Sequence, residues 1–161
     1  MLIMRLLHIL TSIWFISGLL SRWLAYAQAQ RATDVHTAGA LLRLSDRFER
    51  LMVVPGSQTM LVFGLLTAWL QGLPLLGALQ GVRSNWLLAS LILLVGFTPI
   101  FMVLLVPRRR QRVAAVEDAL ARGTMTPELH TALADKVVMR TRMVELLIVV
   151  VILVLMILKP F

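Results

Sequence analysis

The sequence predicts an all-α membrane protein, a bundle of four transmembrane helices. Of its 161 residues, 59% are apolar and only 15% are charged, and its mean hydropathy is +0.86. Soluble domains carry roughly 45–50% apolar and about 25% charged residues. Four stretches also reach or approach the roughly 20 apolar residues that a helix needs to cross a bilayer. The chain length fits one domain, so we expect residues 1–161 to form a single four-helix unit.

Polar residues and a proline mark two of the four predicted spans. Arg5, His8 and Arg22 interrupt the first span, and Pro55 lies near the start of the second. Because proline lacks an amide hydrogen, Pro55 is expected either to begin that helix or to kink it. The third span carries no charge, and the fourth is a run of Val, Ile, Leu and Met. The predicted spans cover about residues 2–28, 51–70, 86–106 and 143–158.

The basic residues predict the orientation of the bundle. Thirteen of the 16 Lys and Arg residues fall in the connections after the first and third spans. Cytoplasmic loops of membrane proteins carry such an excess. We therefore expect these two connections to lie in the cytoplasm of a bacterial cell, whose inner (plasma) membrane holds the spans. Both chain termini and the loop 72–85 then face the non-cytoplasmic side.

Both cytoplasmic connections are predicted to be helical. Residues 41–51 place apolar side chains on one helical face and charged ones mostly opposite. Farther along, Gly123 is a plausible helix C-cap. Thr126 and Pro127 then provide an N-cap and a first-turn proline. The third and fourth spans are therefore expected to extend beyond the bilayer as a short helical hairpin.

Composition excludes several function classes. The chain has no cysteine, which rules out disulfides and thiolate chemistry. It also contains no nucleotide-binding loop, hydrolase triad or zinc motif. The net charge of +8 is a topology signal beside span ends, where basic residues such as Arg108–Arg112 contact lipid headgroups. We therefore expect membrane lipids, and no nucleic acid, as partners.

His8 is the main candidate for chemistry, because polar groups inside a bilayer are costly and often functional. It lies about 9 Å into the first span, at 1.5 Å per residue. A neutral imidazole at this depth is a suitable ligand for haem iron. The common alternative is a buried histidine that hydrogen-bonds a carbonyl or hydroxyl. His36 and His130 fall in the connections, so no second histidine is expected at this level.

The alternating directions of the spans predict which side chains surround His8. Met156 is the only conventional second axial ligand at this depth. Arg5 and Arg83, on the same side of the membrane, could pair with haem propionates, or else contact headgroups or water. Four residues are expected at the level of His8: Thr67, Trp69, Ser90 and Met156.

Other polar or sulfur-bearing residues in the spans have separate interpretations. Met1 and Met4 share helical spacing with His8, and their thioethers could bind Cu(I) as a less favoured alternative. Glu145 is three residues from Arg142 and is expected to pair with it. Small and polar residues on the first span predict a seam for packing against other helices: Thr11, Ser12, Ser17 and Gly18.

Short motifs in all four spans resemble a known family. They are Leu7-His8-Ile9 with Trp14-Phe15 and Gly18-Leu19, then residues 50–56, residues 86–91, and residues 151–153 with 159–161. Together they are similar to the HemJ-type protoporphyrinogen oxidases. They are also similar to an uncharacterised group of four-helix membrane proteins, a domain of unknown function.

The HemJ-type resemblance implies a haem b site and a possible oxidoreductase. The family's first-helix histidine, which is thought to bind the haem, falls on His8. The family's third-helix lysine falls on Ser90, and a serine cannot act as a charge partner or axial ligand in its place. The resemblance therefore implies the fold and haem binding better than it implies oxidation of protoporphyrinogen.

Two functional hypotheses follow from the sequence. The first is a haem- or porphyrin-associated membrane protein with His8 as axial ligand, in which Ser90, Met156, Arg5 and Arg83 complete the site. The second is a non-catalytic scaffold or accessory subunit, working as a homo-oligomer or within a larger membrane complex. The scarcity of ionisable groups in the spans motivates the second hypothesis, because it disfavours ion transport by this chain alone.

Overall fold

The computed structural model of the chain describes residues 2–81 and 85–160, which contain helices and no strand. A π-helical turn at Glu49–Val53 joins α2 to α3, and a short 3₁₀ helix at Gly77–Gln80 precedes α4. The six α-helices are α1 (Leu2–Arg31), α2 (Val35–Phe48), α3 (Val54–Leu70), α4 (Trp86–Arg122), α5 (Pro127–Leu133) and α6 (Lys136–Leu158).

The described residues contain four helical stretches that are long and apolar enough to cross a membrane. They are α1, the continuous α2–α3 unit, α4, and α5 with α6. This confirms the prediction of an all-α chain with four potential spans. The 37 residues of α4 reach about 55 Å, well beyond a hydrocarbon core of about 30 Å. α4 is therefore longer than a single crossing of the hydrocarbon core requires.

Local capping chemistry determines where several helices begin and end. The Thr126 hydroxyl accepts a hydrogen bond from the backbone N–H of Leu129, and Gly123 ends α4 with φ of 68°. Both caps were predicted from the sequence. Asp34 caps α2 by accepting from the Thr37 N–H at 2.8 Å. This hydrogen bond also holds the pKa of Asp34 below its usual value, because it favours the ionised carboxylate.

Pro55 lies at the start of α3, as the first of the two predicted alternatives stated, and it does not break the helical stretch. It lies in the first turn of α3, immediately after the π-helical turn, and the helix runs without interruption from Val35 to Leu70. A π-helical turn accommodates an extra residue and changes the hydrogen-bond pattern locally. The wider turn provides a physical reason why a residue without an amide hydrogen is tolerated here.

The four long stretches form two helix pairs. α1 packs along α3 and α2, while α4 packs along α6 and α5. The pairs approach each other most closely where α2 meets α4, on the side of the two long connections. We call this the connector end of the bundle. The opposite end, where α1 begins and α6 ends, is the terminal end.

The largest buried apolar cluster lies at the connector end. Tyr26 and Ala29 of α1 are fully buried there, against residues of α2, α4, α5 and α6. A smaller cluster around Phe15 and Leu19 continues toward the terminal end. The side chains of the main cluster are Tyr26, Ala29, Val35, Leu42, Val116, Ala119, Leu129, Leu133 and Val138.

Gly18 allows α1 to pack closely on the second helical stretch. A Cβ atom added at Gly18 would lie 2.6 Å from the Met52 Cβ and 3.3 Å from the Met52 carbonyl carbon. Neither atom is the flexible end of a side chain, so the backbone itself would have to move. Gly18 therefore belongs to a packing seam, as the sequence predicted for small residues on this helix.

Two glycine substitutions test this packing. Gly18→Ala should lower the free energy of unfolding by about 1–3 kcal/mol, because overpacking outweighs the gain in helix propensity. Gly96→Ala is the matched control, since a Cβ there meets nothing within 4 Å. Thermal unfolding in detergent, followed by circular dichroism, should show a lower midpoint for the first variant alone. Equal midpoints for both variants would contradict the close approach at Gly18.

Candidate functional site

A cavity of about 380 Å³ lies between the two helix pairs, toward the terminal end. Its size falls within the roughly 300–1,000 Å³ typical of small-molecule sites. All four long helical stretches contribute to its walls, and most of the lining side chains are apolar. The polar side chains that line it are Arg5, His8, Ser12, Thr67, Gln71, Ser90 and Lys159. We call it the His8 cavity.

The His8 imidazole is anchored through one of its two nitrogens. Its Nδ1 lies 3.1 Å from the backbone carbonyl oxygen of Met60. Because a carbonyl can only accept, Nδ1 carries the proton in this contact. The neutral ring then has an unprotonated Nε2, which is the atom available to a metal or hydrogen-bond donor. Metal-binding histidines commonly use this arrangement, in which a backbone carbonyl fixes the ring orientation.

Gly64 provides the space that the imidazole occupies. A Cβ at Gly64 would lie 2.9 Å from the His8 Cε1 and 3.2 Å from its Nδ1. Any larger residue would therefore displace the ring or push the helices apart. Gly64 was not among the residues predicted from the sequence. A glycine in an apolar span is a signal of close helix contact, but it does not specify the contacting residue.

The structure brings together most of the residues predicted near His8. Arg5, Ser90 and Met156 all line the same cavity, as does Thr67. The prediction for Trp69 is wrong, since this side chain is 70% exposed and does not line the cavity. It lies two residues after Thr67 on α3, which turns its side chain to a different face of the helix. Arg83 lies outside the described residues.

Two of these polar residues already have partners in the protein. The Ser90 hydroxyl is buried and donates a hydrogen bond to the Trp86 carbonyl oxygen at 2.8 Å, within α4. The Arg5 guanidinium donates to Gln71 Oε1 at 2.8 Å, linking the start of α1 to the end of α3. Ser90 therefore supplies no charge to the cavity, whereas Arg5 places a cation at its terminal end.

The sulfur atoms proposed for copper are distributed differently. Met4 is not among the described residues that line the His8 cavity, and Met1 lies outside the described residues. Methionine does line this cavity at Met60 and Met156. The described residues also contain no group of three or more His, Asp or Glu side chains that could hold a metal ion.

Comparison with known proteins assigns the chain to a membrane family. Residues 2–160 match DUF2269, whose description is a predicted integral membrane protein. The chain belongs to this family. No curated protein and no solved structure matches the chain.

The DUF2269 protein also has a buried ionic cluster, which we call the Arg22 cluster. The Arg22 guanidinium is 2% exposed and forms ion pairs with both Glu49 and Glu145. The backbone carbonyl of Arg22 accepts a hydrogen bond from the buried Ser45 hydroxyl at 3.1 Å. The predicted pairing of Glu145 with Arg142 is therefore wrong. The helix crossing brings Arg22 to Glu145 from a distant part of the sequence, and Arg142 turns elsewhere.

Arg142 and Arg112 flank the ring of Tyr26. Their guanidinium carbons lie 4.3 and 5.3 Å, respectively, from the ring centroid, within cation–π range. Arg112 is buried and also reaches Asp46 at 3.3 Å. In the neighbouring turn, Arg108 pairs with an acid as well, at 3.2 Å from Asp135. These contacts correct the expectation that residues 108–112 simply contact lipid headgroups.

Arg22→Met should strongly destabilise this DUF2269 protein. The substitution removes a buried guanidinium and leaves two partly buried carboxylates without their cation. Breaking a buried ion pair in this way typically costs about 3–5 kcal/mol. Arg122→Met is the matched control, because Arg122 forms an exposed pair with Asp118 in the same helix. Exposed pairs contribute at most about 1 kcal/mol.

Detergent-solubilised variants should be compared by thermal unfolding. We expect a large drop in the midpoint for Arg22→Met and little change for Arg122→Met. The double variant Glu49→Gln/Glu145→Gln should also unfold early, because it leaves Arg22 unpaired. Wild-type stability in Arg22→Met would show that the cluster is not needed to hold the helices together.

Proposed function

We propose that the chain binds a haem or a related porphyrin in the His8 cavity, with His8 as an axial ligand. The observation that carries this proposal is the contact between His8 Nδ1 and the Met60 carbonyl at 3.1 Å. It orients the ring and leaves Nε2 available, in a largely apolar cavity that all four long helical stretches line. The likeness of the sequence motifs to HemJ-type proteins supports the same ligand.

The residues of the cavity fit a haem in three respects. Nε2 of His8 would bind the iron, and Gly64 leaves room for the His8 imidazole. Met156 of α6 would supply a second ligand of a type found in cytochromes. Arg5 would pair with a propionate at the terminal end. When bound, the haem would supply one-electron redox chemistry.

The cavity supports binding of a porphyrin better than its oxidation by this chain alone. Ser90 is uncharged, and its hydroxyl is used within α4. Among the described residues that line the cavity, His8 is the only histidine, and none is an Asp or a Glu. If His8 binds iron, the cavity then has no other side chain suited to exchange protons at neutral pH. We therefore propose a haem-binding protein rather than an oxidase.

Absorption spectra provide the test. Wild-type protein, expressed with ample haem and purified in mild detergent, should show a Soret band. His8→Ala should lose most of the bound haem. His130→Ala is the matched control, because His130 is exposed on α5 and should leave the spectrum unchanged. Gly64→Leu should also reduce haem binding, since it would fill the space under the imidazole.

Two results would contradict the haem proposal. One is a colourless wild-type protein after haem supplementation, and the other is a spectrum unaffected by His8→Ala. Phospholipid recovered from the cavity of a colourless protein would favour the alternative, a scaffold or accessory subunit of a membrane complex.

We further infer that the connector end faces the cytoplasm of a bacterial inner membrane and that both termini face the opposite side. The support is the distribution of basic residues, thirteen of 16 of which lie in the two long connections or near the connector end of α1. This orientation places the connection between α4 and α6, which contains the short α5, on the cytoplasmic side. The His8 cavity then lies toward the non-cytoplasmic surface.

Cysteine labelling tests this orientation directly, because the chain has no cysteine of its own. Gln80→Cys and Gln111→Cys introduce single thiols at exposed positions near the terminal and connector ends. An impermeant maleimide added to spheroplasts should label the first variant at once. It should label the second only after the membrane is permeabilised. The reverse labelling pattern would show that the bundle has the opposite orientation in the membrane.

A further inference from the structure

The described residues at the terminal end have an unbalanced positive charge. All eight Asp and Glu residues of the chain fall within residues 34–49 and 117–145, which belong to the connector end. No side-chain carboxylate is therefore available near the mouth of the His8 cavity. Two cations do line the cavity, Arg5 from the start of α1 and Lys159 from the end of α6. Lys159 was not among the site residues predicted from the sequence.

Lys159 is held at the cavity by an uncommon backbone conformation. Its φ is 46°, and among the described residues it is the only non-glycine with positive φ. This left-handed conformation ends α6 and is unfavourable for a residue other than glycine. The Lys159 ammonium lies 5.4 Å from the centroid of the Trp86 ring, which is part of the cavity wall. The end of α6 thus turns its cation toward the cavity.

The protein itself offers little to neutralise these two cations. The Gln71 side chain gives Arg5 a neutral acceptor at 2.8 Å. The carbonyl end of α6 gives Lys159 only the partial negative charge of a helix terminus. A ring face attracts a cation but carries no net charge. Within the described residues, two full positive charges therefore remain at the mouth of an apolar cavity.

We propose that Arg5 and Lys159 recognise acidic groups at one edge of the ligand, while its apolar body lies in the cavity. The ligand class is an amphiphile whose acids lie along one edge, and this inference rests on the proposed function. For a porphyrin, the acids are its two propionates. Arg5 and Lys159 belong to different helix pairs, so each can bind a separate carboxylate. Phospholipid headgroups carry similar acidic chemistry and must be distinguished by experiment.

Metal-free protoporphyrin IX separates this recognition from iron binding. The wild-type protein in phosphatidylcholine nanodiscs is titrated with the diacid and with its dimethyl ester, following porphyrin fluorescence. We expect the diacid to bind about tenfold more tightly, as charge-assisted hydrogen bonds predict. The preference should fall in Lys159→Asn and in Arg5→Met, and should vanish in the double variant.

The variants are chosen to preserve the fold. Asparagine tolerates the left-handed conformation of residue 159, so Lys159→Asn removes the charge with little change in the backbone. Lys159→Arg should restore the preference for the diacid. Lys136→Asn, at the connector end of the same helix, is the matched control and should behave as wild type.

Several outcomes would overturn the proposal. One is equal binding of diacid and ester by wild type, and another is a preference that survives in the double variant. Titrations repeated in discs containing phosphatidylglycerol address the lipid alternative. If wild type shows no preference for the diacid but enriches phosphatidylglycerol, and Lys159→Asn abolishes this enrichment, the mouth binds lipid headgroups instead.

The same titrations keep this inference separate from the haem proposal. Selectivity for the diacid without any effect of His8→Ala on haem spectra would overturn only the axial-ligand assignment. Haem spectra that depend on His8, without selectivity for the diacid, would overturn only the role of Arg5 and Lys159.

Discussion

Arg22 lies where the two helix pairs meet, and its guanidinium reaches a carboxylate on each of them. Glu49 belongs to the turn that leads into α3, and Glu145 belongs to α6. Moving a charge out of water costs several kcal/mol, and for Arg22 the two carboxylates offset that cost. The geometry at the connector end is therefore constrained, because α1, the π-helical turn and α6 must all place their charged groups at one point.

This constraint accounts for the shape of the rest of the bundle. Next to the Arg22 cluster, the Tyr26 ring is packed beneath two guanidinium groups, and its hydroxyl donates to the carbonyl oxygens of Ala132 and Leu133 at 3.3 and 3.2 Å. The largest apolar cluster surrounds this point. At the terminal end the two pairs are linked by far smaller clusters. Since the helices are closely joined at only one end, a cavity remains between them at the other.

The cavity combines apolar walls with two sets of polar groups that could bind a ligand. Apolar walls favour a ligand that comes from the bilayer, because such a ligand loses little solvation on entering. The His8 ring, fixed by Met60 and Gly64, provides one directional contact deep in the site. The cations at the mouth, Arg5 and Lys159, provide the second. The proposed ligand, an apolar body with acidic groups at one edge, would satisfy both contacts.

Several features of the fold and site could be read from the sequence. Hydropathy located all four long helices, because burying backbone polar groups in lipid requires continuous helices of about 20 residues. Gly123 and Thr126 acted as caps because capping depends only on nearby residues. The alternation of spans was also enough to place Ser90 and Met156 at the level of His8.

Other features depend on how the helices rotate and approach one another. The partner of Glu145 is Arg22 rather than Arg142, since the partner is decided by helix crossing and not by spacing along one helix. Gly64 and Lys159 entered the site for the same reason. The sequence by itself determined the four long helices and the caps at Gly123 and Thr126, because these depend on local chemistry and on the length of apolar stretches. Only the tertiary structure decided which side chains meet, because a contact depends on the rotation and separation of two helices far apart in sequence.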